Sequence, residues 1–534
     1  MRNKISIKSI ALLFSVFAIL LTSHANADEN QISYIEGVDY IVIDSSVSSS
    51  IAGSNINQAY YGRIYPGLVA NFSLPAQTTE VAVKRINSQY NWFKKNPQYM
   101  QRVWKRAAPY LYHIVRELEK RDMPMELALL PIVESAYDPF AYSHGRAAGL
   151  WQIIPGTGKY LGVQQDWWYD GRRDVLDSTR AALDYLESLH KQFKGDWLLA
   201  IAAYNSGGGN VRKGIRRNTR KQRPTDFWSL PLPKETKAYV PKLLALKKLF
   251  LENSTQNMLP SIPNSAHFTS IDISSQIDLA TASELAGIDL DTLYKLNPGF
   301  NHWASAPHGP HRLLIPVSRA DAFQTQLAEL PAEQRIKLQR YQVKPGDTLS
   351  VLARRNKTSI VAIQQANSLQ GHNLRAGQHL LIPQASASQA KYSKTQDARR
   401  QRIQSTNRKG TRINYVVKPG DSFWKISNHF NVQQRKLAQW NGMAPGDTLK
   451  IGQKLVVWSK DRSLQIDSAP VNGVQTQRKI HYKVRRGDTL SGIAAKFKVR
   501  TSQLQAWNRT RLGKYLQPGQ TLKILVDVRK QSGS

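Results

Sequence analysis

Apolar and polar positions recur with a helical period through much of the first half of the chain. Val103, Ala107, Tyr110, Leu111, Ile114 and Leu118 fall three or four residues apart, which predicts helices over 81–93 and 99–120. The next stretch, Met123 to Tyr160, organises the rest. Leu127, Leu129, Leu130, Ile132 and Val133 are the material of a buried helix, and that apolar run ends on a carboxylate, Glu134. Gly156, Thr157 and Gly158 read as a turn. Val175 to Phe193 carries Ala181, Ala182, Leu183, Tyr185, Leu186 and Leu189 on one side, with Asp177 and Ser178 as the expected cap. Trp197 to Tyr204 is a short apolar helix, 212–223 a basic loop, and a last helix ends near Leu251. Residues 81–252 are therefore predicted to form one mostly helical domain. Residues 28–80 lack a sustained period and are expected to form an irregular arm.

Beyond residue 252 the period changes and internal repeats begin. Tyr341 to Ser350 (YQVKPGDTLS) returns as Tyr415 to Phe423 (YVVKPGDSF) and as Tyr482 to Ser491 (YKVRRGDTLS). Each copy continues to an asparagine, Asn367, Asn441 or Asn508, and closes on Gly-Gln at Gly377, Gly452 or Gly519. Strand, helix, helix, strand is the simplest reading. Gly346, Gly420 and Gly487 make the turn, and Asp347 or Thr348, Asp421 or Ser422, and Asp488 or Thr489 cap the first helix. The copies span 340–384, 414–458 and 481–526. A divergent copy is expected over 266–318, with helices at 280–286 and 290–296, Asn297 as its asparagine and a closing strand at 312–316. The polar intervals 385–413 and 459–480 read as flexible linkers, and about 30 such residues span only about 30 Å on average.

A chain of 534 residues needs several cores. Residues 1–27 have the form of a secretory signal: Arg2 and Lys4, an apolar stretch from Ile10 to Leu21, and Ala25-Asn26-Ala27 before Asp28. That stretch is short for a membrane span. The net charge of +36 would ordinarily suggest nucleic acid. Export redirects it to an anionic wall polymer, and no nucleic-acid partner is expected. There are no cysteines, hence no disulfides and no thiolate chemistry. The histidines are scattered, and His308 with His311 lacks carboxylate companions, so neither metal nor other cofactor is expected.

Glu134 at the end of an apolar run is either a salt-bridged helix terminus or a tuned acid. Desolvation raises a carboxyl pKa, and a raised pKa suits a general acid near neutral pH. Asp138 would share its face if the helix continued, but Pro139 disfavours that and points to a turn. Asp166 and Asp170, among Trp167, Trp168 and Tyr169, either line a groove or pack.

Three motifs then occur in order: Glu134-Ser135, Gly149-Leu150-Trp151-Gln152-Ile153-Ile154-Pro155, and Ala203-Tyr204-Asn205-Ser206-Gly207. Together they resemble the lysozyme-like lytic transglycosylases of the Slt type, and the repeats resemble LysM modules, which bind N-acetylglucosamine-containing glycans. The resemblance implies a multidomain α+β chain: a mostly α, lysozyme-like catalytic domain followed by small βααβ LysM modules. It implies cleavage of the β-1,4 bond after N-acetylmuramic acid, with Glu134 as single acid and base. Ser135 and Ser143 would orient Glu134 or contact an N-acetyl group, or else one or both cap helices. Gln152 and Asn205 would bind sugar, Tyr204 would hold the Glu134 carboxyl, and Tyr239 is a further candidate, equally suited to the core. In the modules it implies glycan contacts at Gly346, Asp347, Thr348, Gly420, Asp421, Ser422, Gly487, Asp488 and Thr489. Trp440 and Trp507 are expected in module cores. Members of this kind are lipid-anchored through a cysteine that this chain lacks, so a periplasmic, wall-associated monomer, at most peripheral to the membrane, is expected. A hydrolytic muramidase and a non-catalytic wall-binding scaffold are the rival readings.

Overall fold

The computed structural model describes residues 63–255, 261–459, 477–497, 499, 501–508 and 516–527. The expected signal peptide, the arm as far as residue 62 and most of the second linker lie outside the described residues.

The first described part, residues 63–255, is a helical assembly closed by one long element. The helix Lys234–Thr255 packs along Glu80–Lys94 and also meets the short helix Leu130–Ser135. Val240, Leu243, Ala245, Leu246 and Phe250 are fully or almost fully buried along it. The end of the expected arm joins this core: Ile64–Ala70 is helical and buries Ile64, Tyr65 and Leu68, with Tyr65 packed edge-on to Phe250.

Several local expectations are corrected. The stretch 99–120 divides into Pro97–Ala107 and Leu111–Glu119, because Pro109 cannot donate in a helix interior. Helix Val175–Gln192 is capped by Asp174, whose carboxylate accepts from the N–H groups of Leu176 and Asp177 at 2.9 Å, one turn before the expected Asp177 and Ser178. The supposed basic loop is the helix Gly208–Thr219, and the Gly-Thr-Gly turn lies inside a helix, Pro155–Tyr160. In the last case proline at the first helical position outweighs the glycines.

Among the described residues four two-stranded antiparallel sheets follow, each bracketing two helices. Phe268–Asp272 pairs with Arg312–Pro316, Lys337–Gln342 with His379–Gln384, Thr411–Val416 with Lys454–Ser459, and Gln477–Lys483 with Thr521–Asp527. A two-stranded sheet is too small to stand alone. Each is clasped to its second helix by the asparagine that ends it. In the second repeat, Asn441 Nδ2 donates to Leu437 O and Val456 O, both at 2.8 Å, and Oδ1 accepts from Val456 N at 2.7 Å. Asn297, Asn367 and Asn508 make the same three bonds in their own units. Trp440 and Trp507 are half-buried against their module cores.

The interval 385–413, read from its polarity as a flexible linker, carries an ordered helix, Gln396–Ser405. Tyr392 is buried ahead of it and donates to the buried Asp278 at 2.9 Å. A low content of large apolar residues hid these few anchoring contacts.

Asn441→Ala should cost the second repeat about 2–3 kcal/mol, since buried backbone groups of Val456 lose their partners. Amide exchange at Val456 measures this. Protection as strong as in the wild type would contradict the clasp.

Candidate active site

Glu134 sits in the last turn of Leu130–Ser135, which stops there because Ala136 and Tyr137 both take left-handed backbone angles, with φ of 52° and 55°. Tyr137 is fully buried, and its hydroxyl donates to Ala128 O at 2.6 Å. The break turns the chain away and leaves Glu134 facing a cleft of about 550 Å³. Asp138 starts the following turn, accepting from Phe140 N at 2.9 Å.

The Gly149–Pro155 segment forms the facing wall. Gly149 has φ of 79°, and a Cβ there would overlap the Arg172 carbonyl and lie 2.9 Å from Arg173 Cα. Any side chain would push this wall off its support. Leu150 and Trp151 are fully buried, with Trp151 Nε1 donating to Thr179 at 3.0 Å. The support is a buried ion cluster. Asp170 accepts from Arg172 at 2.8 Å through both oxygens and from Arg173 at 2.9 Å. Burial alone would raise its pKa, but Arg173 and Arg172 hold it below the usual carboxylate value. Arg172 also donates to Arg146 O at 2.7 Å and Ile153 O at 3.3 Å, tying both sides of the wall together. Asp170 is thus scaffold. Asp166 caps Trp168 and Tyr169 at 2.7 and 2.9 Å.

Glu134, Ser143, Gln152, Tyr204, Asn205 and Tyr239 all line the cleft. Their jobs differ from those expected. The Glu134 carboxylate accepts a short hydrogen bond from the Tyr239 hydroxyl, whereas Tyr204 donates to Trp151 O at 2.8 Å and so braces the opposite wall. Tyr239 lies on the long closing helix, so its proximity to Glu134 depends on tertiary packing that no local motif encodes. Ser135 turns inward, donating to Pro131 O at 3.1 Å and Leu150 O at 2.8 Å, and does not line the cleft. Ser143 Oγ accepts from Gly145 N and Ala147 N at 3.2 and 3.0 Å, shaping its own loop. Gln152 Nε2 donates to Gly149 O at 2.9 Å. Asn205 Oδ1 accepts from Thr236 at 2.8 Å. His144, Tyr185, Glu235 and Lys242 also line the cleft and carry no signal in the motifs.

Burial pushes the Glu134 carboxyl up to about 7; the Tyr239 hydrogen bond opposes this, Glu235 adds to it and Lys242 opposes it. A second glutamate eight residues earlier makes the contrast. Glu126 is fully buried, but it pairs with Lys247 at 2.9 Å and accepts from Ser73 N and Leu74 N at 3.1 and 2.9 Å. Glu126 has its oxygens satisfied by a lysine and two backbone donors, while Glu134 is a poorly solvated acid with one hydroxyl partner. The cleft can therefore present a proton near neutral pH and take one back.

In each LysM-like repeat the turn aspartate is engaged locally: Asp347, Asp421 and Asp488 accept from Tyr341, Tyr415 and Tyr482 and from a backbone N–H. Thr348, Ser422 and Thr489, not the aspartates, cap the following helices. Gly346, Gly420 and Gly487 take positive φ in these turns.

Residues 112–227 match the transglycosylase SLT domain, 267–332 the LysM-like domain of lytic transglycosylase MltD, and 341–383, 415–458 and 482–525 the LysM domain. Membrane-bound lytic murein transglycosylase D of Escherichia coli K12 is 40% identical over 383 residues, covering 69% of this chain and 81% of that protein. An autolysin of Enterococcus faecalis is 31% identical over 196 residues, 36% of this chain and 25% of its own. Among solved structures, the lytic transglycosylase Slt of Pseudomonas aeruginosa, in an inactive mutant form, aligns at 27% identity over 28% of this chain and 25% of that one, with a TM-score of 0.22.

A carboxyl raised by burial favours the folded state below its unfolded pKa, and that contribution is lost as pH rises through the folded value. The rise from 4.5 to about 7 corresponds to about 3 kcal/mol at most. Glu134→Gln should therefore raise the melting temperature at pH 8 and change it little at pH 4. An equal effect at both pH values would contradict the desolvated carboxyl.

Proposed function

Since the chain belongs to the family of membrane-bound lytic murein transglycosylase D, a lytic transglycosylase of peptidoglycan, we propose that it cleaves the β-1,4 bond between N-acetylmuramic acid and N-acetylglucosamine with Glu134 as its single acid and base. The observation that carries this is the half-buried Glu134 carboxyl, held by Tyr239 and pushed up to about 7 in a saccharide-sized cleft.

Protonated Glu134 gives its proton to the glycosidic oxygen as the bond to the muramic C1 breaks. Charge develops at C1 in an oxocarbenium-like transition state, which the N-acetyl group of the same sugar stabilises. The C6 hydroxyl of that sugar attacks C1, the Glu134 carboxylate takes the hydroxyl proton, and a 1,6-anhydro end results. The carboxyl ends in the protonation state in which it began, and no water is consumed. Ser143, Gln152 and Asn205 are proposed to contact the glycan, with Tyr239 setting the carboxyl and Tyr204 the wall. Ser135 acts only through Leu150.

The LysM modules are proposed to hold the enzyme to the wall, where simultaneous binding raises effective concentration. An exported, wall-associated location is proposed, and there the excess of Lys and Arg would hold the chain near an anionic polymer. Among the described residues no helix is long and apolar enough to cross a membrane.

The hydrolytic reading gains one observation: Glu235 also lines the cleft, and two carboxylates serve most glycosidases. Mass spectrometry of digested sacculi separates the two chemistries. Anhydro ends are expected, and reducing ends without the anhydro mass would contradict the transglycosylase. Glu134→Gln should lower turnover by roughly 10² to 10⁴, whereas Glu235→Gln should still yield anhydro product. Loss of the Tyr239 hydrogen bond removes a contact that lowers the Glu134 pKa. Tyr239→Phe is accordingly expected to move the alkaline limb of kcat/KM upward, and an unmoved or downward limb would count against this role.

A further inference from the structure

The loop Ala141–Ala148 brings Ser143 and His144 to the cleft, and it is gripped at two ends. At its base, Arg172 holds Arg146 O, and Gly149 N donates to Ala141 O at 3.1 Å. At its tip the grip comes from the second LysM module. Tyr142 donates to both carboxylate oxygens of Asp447 at 2.9 and 3.2 Å, and Arg146 Nε meets Asp447 Oδ1 at 3.0 Å. The Asp447 side chain is only 16% exposed, so this charge-assisted contact is partly shielded from water. Asp447 Oδ2 also accepts from Ala444 N at 2.8 Å, which fixes the turn that presents it.

The helix Gln396–Ser405 holds the module in register with the loop. Arg399 lies over the Phe140 ring at 4.7 Å from its centroid, and Gln396 N donates to Asn301 O at 2.8 Å. At the far end, Gln404 donates to Asn441 at 2.8 Å. A Cβ on Gly442 would come within 2.9 Å of Ile403, so the module sits directly against this helix.

The repeats provide an internal comparison. Counted back from Leu449, Leu374 and Leu516, the position of Asp447 is His372 in the first module and Lys514 in the third. Only the second copy places a carboxylate where Tyr142 and Arg146 can donate.

We propose that the second LysM module is a fixed support behind one wall of the catalytic cleft, with Asp447 as a positioning residue that holds the tip of the Ala141–Ala148 loop against the bound glycan. This rests on reading the Glu134 cleft as the catalytic one. It replaces a free tether with a module that shapes turnover as well as attachment.

The test uses the full-length chain on a short soluble glycan and, separately, on intact sacculi. Asp447→Ala should lower kcat on the short glycan at least about fivefold, because displacing positioning groups by about 1 Å costs up to about 10²-fold, while sacculus pull-down stays near wild type. Arg146→Ala should reproduce the loss, and combining Asp447→Arg with Arg146→Glu should recover most of it. Unchanged kcat in Asp447→Ala overturns the proposal. So does reduced pull-down with kcat intact, which would make the module an anchor only. A loss absent from Arg146→Ala and not recovered by the reversed pair also overturns it, as general destabilisation of the module. Glu134→Gln in the same assay separates failure of the cleft reading, which would remove the premise, from failure of the support.

Discussion

The desolvation of one carboxyl is the constraint on which the rest depends. Glu134 is carried at the end of a helix six residues long, too short to hold itself, so its position is imposed by burial of Leu130, Pro131 and Ile132 below and by the closing helix above. Those contacts exclude water from the carboxyl and supply a single hydroxyl in exchange. With a lysine and two backbone donors, as at Glu126, the same side chain would serve as a structural tie. The difference between the two glutamates is one of partners, and partners are set by tertiary packing.

The walls of the cleft obey the same economy. Asp170, Arg172 and Arg173 form a buried ion cluster in which Arg172 also donates to the backbone carbonyls of Arg146 and Ile153, while Arg173 Nε has no partner. Breaking one member of such a cluster leaves an uncompensated charge, which is why the cluster can hold loops rigidly. Rigidity here serves chemistry, because proton transfer requires the acid and the reacting oxygen to meet within hydrogen-bond reach. The ordered helix between the first and second LysM modules extends that rigidity outward, bringing the second module alongside a loop that lines the cleft.

Much of this was legible in the sequence, for identifiable reasons. The helical period marked the catalytic helices, and the recurrent Gly-Asp turns and asparagines marked the small modules, because both are local patterns with local physical causes. The motifs single out Glu134, Gln152, Tyr204 and Asn205, which line one cleft. What was misread depended on distance or on context. Tyr239 looked as much like core as site because its partner lies 105 residues away, and Tyr204 was given the role that Tyr239 fills. Ser135, expected to orient Glu134, to contact an N-acetyl group or to cap a helix, bonds to Pro131 O and Leu150 O instead. The basic helix Gly208–Thr219 was taken for a loop because charge masked its buried Val211, and Gln396–Ser405 was taken for a linker because its anchors, Tyr392 ahead of it and Arg399 within it, are single residues in a polar background.

The central claim is that Glu134 remains protonated close to neutral pH. Infrared difference spectra between wild-type protein and Glu134→Gln, recorded across a pH series, test it most directly. A protonated-carboxyl carbonyl band present at pH 6, titrating away near pH 7 and absent from the variant is the result predicted. A band already lost by pH 5 would show Glu134 to be an ordinary ionised carboxylate, and the account would fail.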